Sequence, residues 1–266
     1  MDMNNTSEHN KNKCLNCGTE FSGKFCPECG QSADTKRLSF RRAITETIPD
    51  IYNLDNKFVL TCIDLFRKPG DVLRGYIEGR RMRYYRPVPM LFVLATIYVL
   101  ISHLTQTAVI AEVPIEQEDN KIAVILFAII NIINNKAWLA VMSVILFVVP
   151  NYIAFKHSEY GSRMNLAEHF FVMIYKECQG MIISLFMLIA GLFVDTSIIW
   201  INLSLIFGLL LVDYKCLLRI SWIKAILLSF YSWILFALFV AITAFIIGFI
   251  DSYIGIFDFI IKILPN

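Results

Sequence analysis

The chain has 266 residues, of which 57% are hydrophobic and 17% charged, with 21 Phe and a mean hydropathy of +0.60. That balance lies outside the range of soluble globular domains and points to an integral membrane protein. Net charge is only +2, and its distribution along the chain says more than its sum. Seven cysteines, four spaced near the N terminus and three isolated at Cys62, Cys178 and Cys216, exclude a disulfide framework.

Residues 1–35 read as a small zinc ribbon behind a disordered tail. The run from Cys14 to Gly30 holds two Cys-x-x-Cys pairs, each followed directly by Gly. Thiolates two residues apart reach one tetrahedral metal, and the following Gly permits the turn that points backbone amides at the sulfurs. Cys14, Cys17, Cys26 and Cys29 are therefore the expected ligands of a structural Zn²⁺, with two redox dithiols or a rubredoxin-like iron site as alternatives. Phe21 and Phe25 are the expected apolar cover of so small a fold. Zinc thiolates want a reducing compartment. Lys11, Lys13 and Lys24 face five acids in this segment, a balance that argues against nucleic acid as a partner.

Residues 36–87 form a basic amphipathic helical linker, with twelve Lys and Arg against six Asp and Glu. Phe40, Ile44, Ile48 and Ile51 suit a first short helix ended by Pro49. A second starts at Asp55 and sets Phe58, Cys62, Leu65 and Phe66 on one side. A third opens on Pro69, aligns Val72, Leu73, Tyr76 and Ile77, and stops at Gly79. Arg80, Arg81, Arg83 and Arg86 close the linker. They either hold an anionic lipid headgroup or phosphate, or simply keep this end of the next helix in the cytoplasm.

These motifs together are similar to a known pattern. The ribbon from Cys14 to Gln31, then Arg37-Leu38-Ser39, Lys68-Pro69-Gly70, Tyr76-Ile77-x-Gly79-Arg80-Arg81, Arg83-Tyr84 and the later Ala167-Glu168-His169 resemble an uncharacterised bacterial family of unknown function. Its members join an N-terminal zinc ribbon to several membrane helices. The resemblance implies that architecture and no activity.

Residues 88–266 read as a multi-pass membrane domain. The first span is 88–104, and no apolar run precedes it that would serve as a signal peptide. An acidic external loop follows over 105–121. Residues 122–133 are apolar but too short to cross, which suits a re-entrant or interfacial helix. Further spans are expected at 137–155, 165–194, 196–212 and 225–250, with an interfacial tail at 253–264. Positive turns between them place the N terminus in the cytoplasm and the C terminus outside a bacterial inner membrane. The expected fold class is thus an all-α polytopic membrane protein of about five transmembrane helices with a small cytosolic zinc ribbon.

Glu168, His169 and Lys176 stand in the first half of the third span, where ionisable groups are candidates for a proton path, an ion site or a polar clamp. The alternative is geometric: Lys176 snorkels to the interface and Glu168-His169 meets the basic platform. Cys62, Cys178 and Cys216 read as packing. No His-Glu-x-x-His, Gly-x-Ser-x-Gly, Walker loop or dinucleotide fingerprint occurs, so no enzyme is expected. The sequence favours a membrane-anchored adaptor or scaffold, with the ribbon recognising a protein partner and the linker meeting anionic inner-leaflet lipid. The alternative is a small transporter or channel component using the polar residues of the third membrane helix, regulated by the ribbon.

Overall fold

The computed structural model describes residues 12–40, 56–105, 136–193 and 198–254. The expected first linker helix, the acidic loop, the re-entrant segment and the interfacial tail lie wholly or mostly outside these residues.

The ribbon begins with a minimal hairpin, β1 (Asn12–Lys13) antiparallel to β2 (Glu20–Phe21), with Asn12 opposite Phe21. Its small core is Cys14, Phe21 and Cys26. Phe21 is buried as the sequence suggested, but Phe25 is 66% exposed. Phe25 sits in an isolated antiparallel bridge to Ser32.

Two short helices follow, α1 (Asn56–Arg67) and α2 (Pro69–Ile77). The side of α1 that faces the body is Thr61, Asp64 and Leu65, while Phe66 stays exposed. Leu65 lies in the core with Phe58 and Cys62 packed against it, and Thr61 and Asp64 are buried as partners of other groups. Thr61 Oγ1 accepts from the Tyr85 backbone amide at 2.8 Å, and the Tyr84 hydroxyl donates to Asp64 Oδ2 at 3.2 Å. Polar groups buried this way keep their hydrogen bonds and cost little. As expected, Pro69 opens α2 and Gly79 follows its end, with φ +102°, a left-handed conformation that glycine adopts without strain.

The body contains five helices among the described residues: α3 (Pro87–Leu104), α4 (Lys136–Phe155), α5 (Leu166–Ala190), α6 (Ile198–Leu218) and α7 (Trp222–Ile254). Three are long and apolar enough to cross a membrane: α3, α5, and α7 over Trp222–Thr243; Met142–Phe155 is a shorter apolar helix. The expected spans at 137–155 and 196–212 fall on α4 and α6, parts of which lie outside the residues whose side chains are described. The second of them also continues past Val212 to Leu218, because Tyr214, Leu217 and Leu218 carry the buried face onward.

Helix α5 is the hub. It packs against α1, α2, α3, α4 and α6, and 61% of its apolar stretch is buried, against 28% for α3 and 17% for α7. A capping box starts it: Asn165 Oδ1 accepts from the Glu168 amide at 2.8 Å, and Glu168 Oε2 accepts from the Asn165 amide at 2.7 Å. The core around it includes Leu65, Leu73, Met90, Val172, Tyr175 and Leu217, all essentially inaccessible. Each such side chain contributes about 1.5–3 kcal/mol by burial.

One end of the bundle carries the ribbon and the short helices. Helix α4 returns into α5 through residues 156–165, and α6 returns into α7 through 219–221, so the ends of α4 and α6 and the starts of α5 and α7 lie together. Helix α2 packs on the last turns of α6 so closely that a Cβ on Gly70 would stand 2.8 Å from the Cys216 carbonyl oxygen.

Candidate functional site

The four cysteines form one cluster whose sulfur atoms all lie within 4.8 Å of one another. Sγ of Cys14 is 3.5 Å from that of Cys29, and Sγ of Cys17 is 3.5 Å from that of Cys26. Four thiolates at about 2.3 Å from one tetrahedral Zn²⁺ would stand about 3.8 Å apart, so the set fits a structural zinc ion. Each knuckle is closed by the backbone: the Gly18 amide donates to the Cys14 carbonyl and the Gly30 amide to that of Cys26, both at 2.9 Å. Both glycines have positive φ, +81° and +72°. The Thr19 side chain and then its amide pull the Cys17 thiol down to about 6, while burial pushes that of Cys29 up to about 12. A metal bound here would replace those protons and hold the ribbon together, and with four protein ligands no position is left for a reacting water.

The strap after the ribbon is tied to the body. Gln31 Oε1 accepts from the Arg81 amide at 3.2 Å, and Arg81 Nη2 donates to the Lys36 carbonyl at 2.6 Å. Arg37 grips Glu168 with both ends of its guanidinium, Nε to Oε1 at 2.7 Å and Nη2 to Oε2 at 2.9 Å, and also donates to the Arg163 carbonyl. Asn165 Nδ2 donates to the Leu38 carbonyl at 3.2 Å, and the Phe40 ring meets Phe170 edge-on.

The four arginines of the linker disperse. Arg80 lies 3.5 Å from Glu78, Arg81 turns to the strap and over the Tyr76 ring, and Arg83 lies over Tyr84. Arg86 is the residue preceding the first turn of α3.

The three polar residues of the third expected span also part company. Glu168 is committed to the cap and to Arg37. His169 is fully buried with its ring edge-on to Tyr152, and neither ring nitrogen has a hydrogen-bond partner among the described residues. Lys176 does not snorkel: it is only 9% exposed, its ammonium 4.1 Å above the Tyr214 ring and 3.9 Å from Met173 Sδ.

Lys176 instead borders a partly open cavity of about 420 Å³ between α4, α5, α6 and α7, which sequence reasoning did not foresee. Its polar lining comes from four helices: Ser143, Asn151, Lys176, Glu177, Gln179, Ser184, Asp213, Ser229 and Ser232. Gln179 is the pivot. Its Nε2 donates to the Leu65 carbonyl at 2.9 Å and to Asp213 Oδ1 at 3.2 Å, which fixes the amide and leaves Oε1 without a partner. Ser229 and Ser232 hydroxyls are likewise buried and unpartnered among the described residues. Asn151 accepts from the Tyr214 hydroxyl at 2.6 Å, and Ser184 accepts from Asn202 at 3.2 Å. Leu146, Phe147, Ile206, Phe207, Trp233 and Phe236 supply the apolar wall.

Asp213 and the two serines carried no sequence signal because they are scattered polar residues in mostly apolar helices. Only contact between helices gives them a common site. Cys62 packs partly against the core, and burial raises its thiol to about 11, as expected of an inert packing residue. Cys178 is fully buried.

A family model described as a protein of unknown function (DUF3667) matches residues 55–99. That segment comprises α1, α2, the arginine run and most of α3; it includes Leu65, which holds Gln179, but neither the four cysteines nor the polar cavity residues. No curated protein and no solved structure matches the chain.

Proposed function

We propose that the chain is a polytopic inner-membrane protein whose helical body is a carrier for a small molecule held in the bundle cavity, with the zinc ribbon as a seated cap on the cytoplasmic end. The observation that carries this reading is the cavity itself. Its volume is that of a small-molecule site, and an apolar wall with a few convergent polar groups is what such sites present. Buried polar atoms left without partners are costly unless something fills the space beside them. Polar groups inside a bundle of membrane helices mark substrate pathways.

Sidedness rests on the arginine run before α3 and on thiolates that need a reducing compartment. The scaffold reading needs a ribbon that presents itself to partners. The ties of its strap to the arginine run and to α5 favour a cap instead, so we place scaffolding second.

The test is transbilayer movement in proteoliposomes. Radiolabelled medium-chain amphiphiles, neutral and charged, are loaded in both leaflets and extracted with external albumin. A carrier makes the inner-leaflet fraction of at least one of them extractable faster than in protein-free vesicles, and Gly180→Leu, which fills the cavity, abolishes the acceleration. Equal rates with native protein, variant and no protein for the whole panel would overturn the reading.

A further inference from the structure

The cavity has a depth profile that constrains its occupant. Counted from the ribbon-side ends of their helices, Asn151 stands four residues before the end of α4, Lys176 ten after the start of α5, Asp213 five before the end of α6 and Ser229 seven after the start of α7. At about 1.5 Å per residue these groups form a polar floor roughly 6–15 Å from that end. Met142, Met181, Ile206 and Phe236 lie roughly 18–23 Å in by the same measure and line the same space. The ionisable lining thus lies toward the ribbon-side end, while the uncharged polar groups Ser143, Gln179 and Ser184 lie beside the apolar lining deeper in.

Charge on the floor narrows the chemistry further. Three ionisable side chains line the cavity: Lys176, Asp213 and Glu177. Lys176 and Asp213 are buried with opposite signs, and Lys176 is already engaged with the Tyr214 ring. Glu177 is only partly buried and has its own interaction. A ligand bearing net charge would meet one sign as an attraction and the other as a repulsion, after losing its own hydration. The atoms that lack partners are neutral: the Gln179 amide oxygen, an acceptor only, and the hydroxyls of Ser229 and Ser232.

Resting on the carrier reading above, we propose that the cavity takes one uncharged amphiphile, its hydroxyl- or amide-bearing head donating to Gln179 Oε1 and meeting Ser229 and Ser232, its chain lying among Phe207, Trp233 and Phe236. Trp233 is then a built-in reporter. Its indole stacks edge-on against Phe147, with ring centroids 4.8 Å apart, and borders the apolar part of the space.

The experiment uses the full chain in lipid nanodiscs with Trp138, Trp200 and Trp222 changed to Phe, so that Trp233 alone emits. Three probes share one brominated alkyl chain and differ in the head: glycerol ether, carboxylate and trimethylammonium. The expected result is saturable quenching by the glycerol ether at a mole fraction about tenfold lower than for either charged probe, about 1.4 kcal/mol of discrimination. Gly180→Leu should remove the saturable part while the fold persists, since a Cβ at Gly180 meets nothing nearer than Ile206 Cδ1 at 3.9 Å. Ser229→Ala with Ser232→Ala should weaken the glycerol ether severalfold and leave the charged probes unchanged, and decides the matter if the leucine variant fails to fold. Equal or tighter binding of a charged probe overturns the proposal, as does quenching that rises linearly and identically in all variants. Saturable binding without albumin-extractable movement overturns the carrier reading alone.

Discussion

Cutting the tie between the strap and the hub helix should show whether the ribbon is part of the folded body. The Glu168 side chain is 3% exposed and that of Arg37 57%. Arg37→Ala leaves a buried carboxylate with only the Asn165 amide from the cap to serve it, whereas Glu168→Ala frees a guanidinium that can turn to water but removes half of the capping box. A fully buried pair broken this way costs about 3–5 kcal/mol and an exposed one less than about 1. With one partner mostly solvated, Arg37→Ala should cost about 2 kcal/mol. Glu168→Ala should cost a similar amount, about 1 kcal/mol of it from the lost cap. Because both remove the same contact, the double variant should fall short of the sum by about 1–2 kcal/mol. Thermal unfolding in detergent micelles, followed by circular dichroism, gives the four melting points of the cycle; each single variant should lose roughly 4–8 °C. Additive losses, with coupling below about 0.3 kcal/mol, would refute the reasoning and leave the strap as a loose tether.

Three further outcomes follow from the same structure. Cys26→Ser should lower bound zinc from one equivalent to none by elemental analysis, and Co²⁺ offered to the native chain should give the thiolate charge-transfer absorption of a tetrahedral site. Gly161→Ala should be among the most damaging glycine changes, costing at least about 2 kcal/mol, because its Cβ would overlap the Phe155 carbonyl oxygen in the turn joining α4 to α5; a melting point within error of native would count against that turn. The Tyr160 hydroxyl donates to Glu78 at 3.2 Å, and burial first, then that carboxylate, pushes it up to about 12. A folded-state value above the ordinary phenol value of about 10 means that its share of stability is intact below that pH and is lost as pH rises toward 12; Tyr160→Phe should flatten the alkaline loss, and a phenolate absorbance titrating near the ordinary value would contradict it.

The parts of the structure legible in the sequence are those whose signal is local. Paired Cys-x-x-Cys-Gly knuckles need only their own spacing, and the four sulfurs do come together. Pro69 and Gly79 bracket α2 because each acts on its own φ. On α1, Phe58, Cys62 and Leu65 pack against the core as their spacing suggests, but Thr61 and Asp64 look like solvent residues until Tyr84 and Tyr85 arrive from within the arginine run. The same blindness explains the cavity. Lys176 was noticed because a cation in an apolar helix is conspicuous, yet its setting depends on Tyr214 and Met173. Asp213 was left beyond a span taken to stop at Val212, since a single carboxylate resembles a boundary. Its place opposite Gln179 depends on the packing of α5 on α6, and no periodicity within either helix reports that. The sequence leaves Glu168 between an intramembrane polar site and a contact with the basic linker; in the structure it pairs with Arg37 and begins the helix that carries Lys176 and Gln179.

The measurement closest to the central claim is protection of the cavity floor. Ser232→Cys places one thiol there, and its rate of modification by a small neutral thiol reagent, read at that peptide by mass spectrometry, reports whether the space is reachable and what occupies it. Slow but complete modification, delayed further by a saturating alkyl glycerol ether and abolished in Gly180→Leu, is the predicted result. A thiol that never reacts, or one that reacts at the same rate with and without the ether and in both backgrounds, would mean that the bundle holds no ligand site.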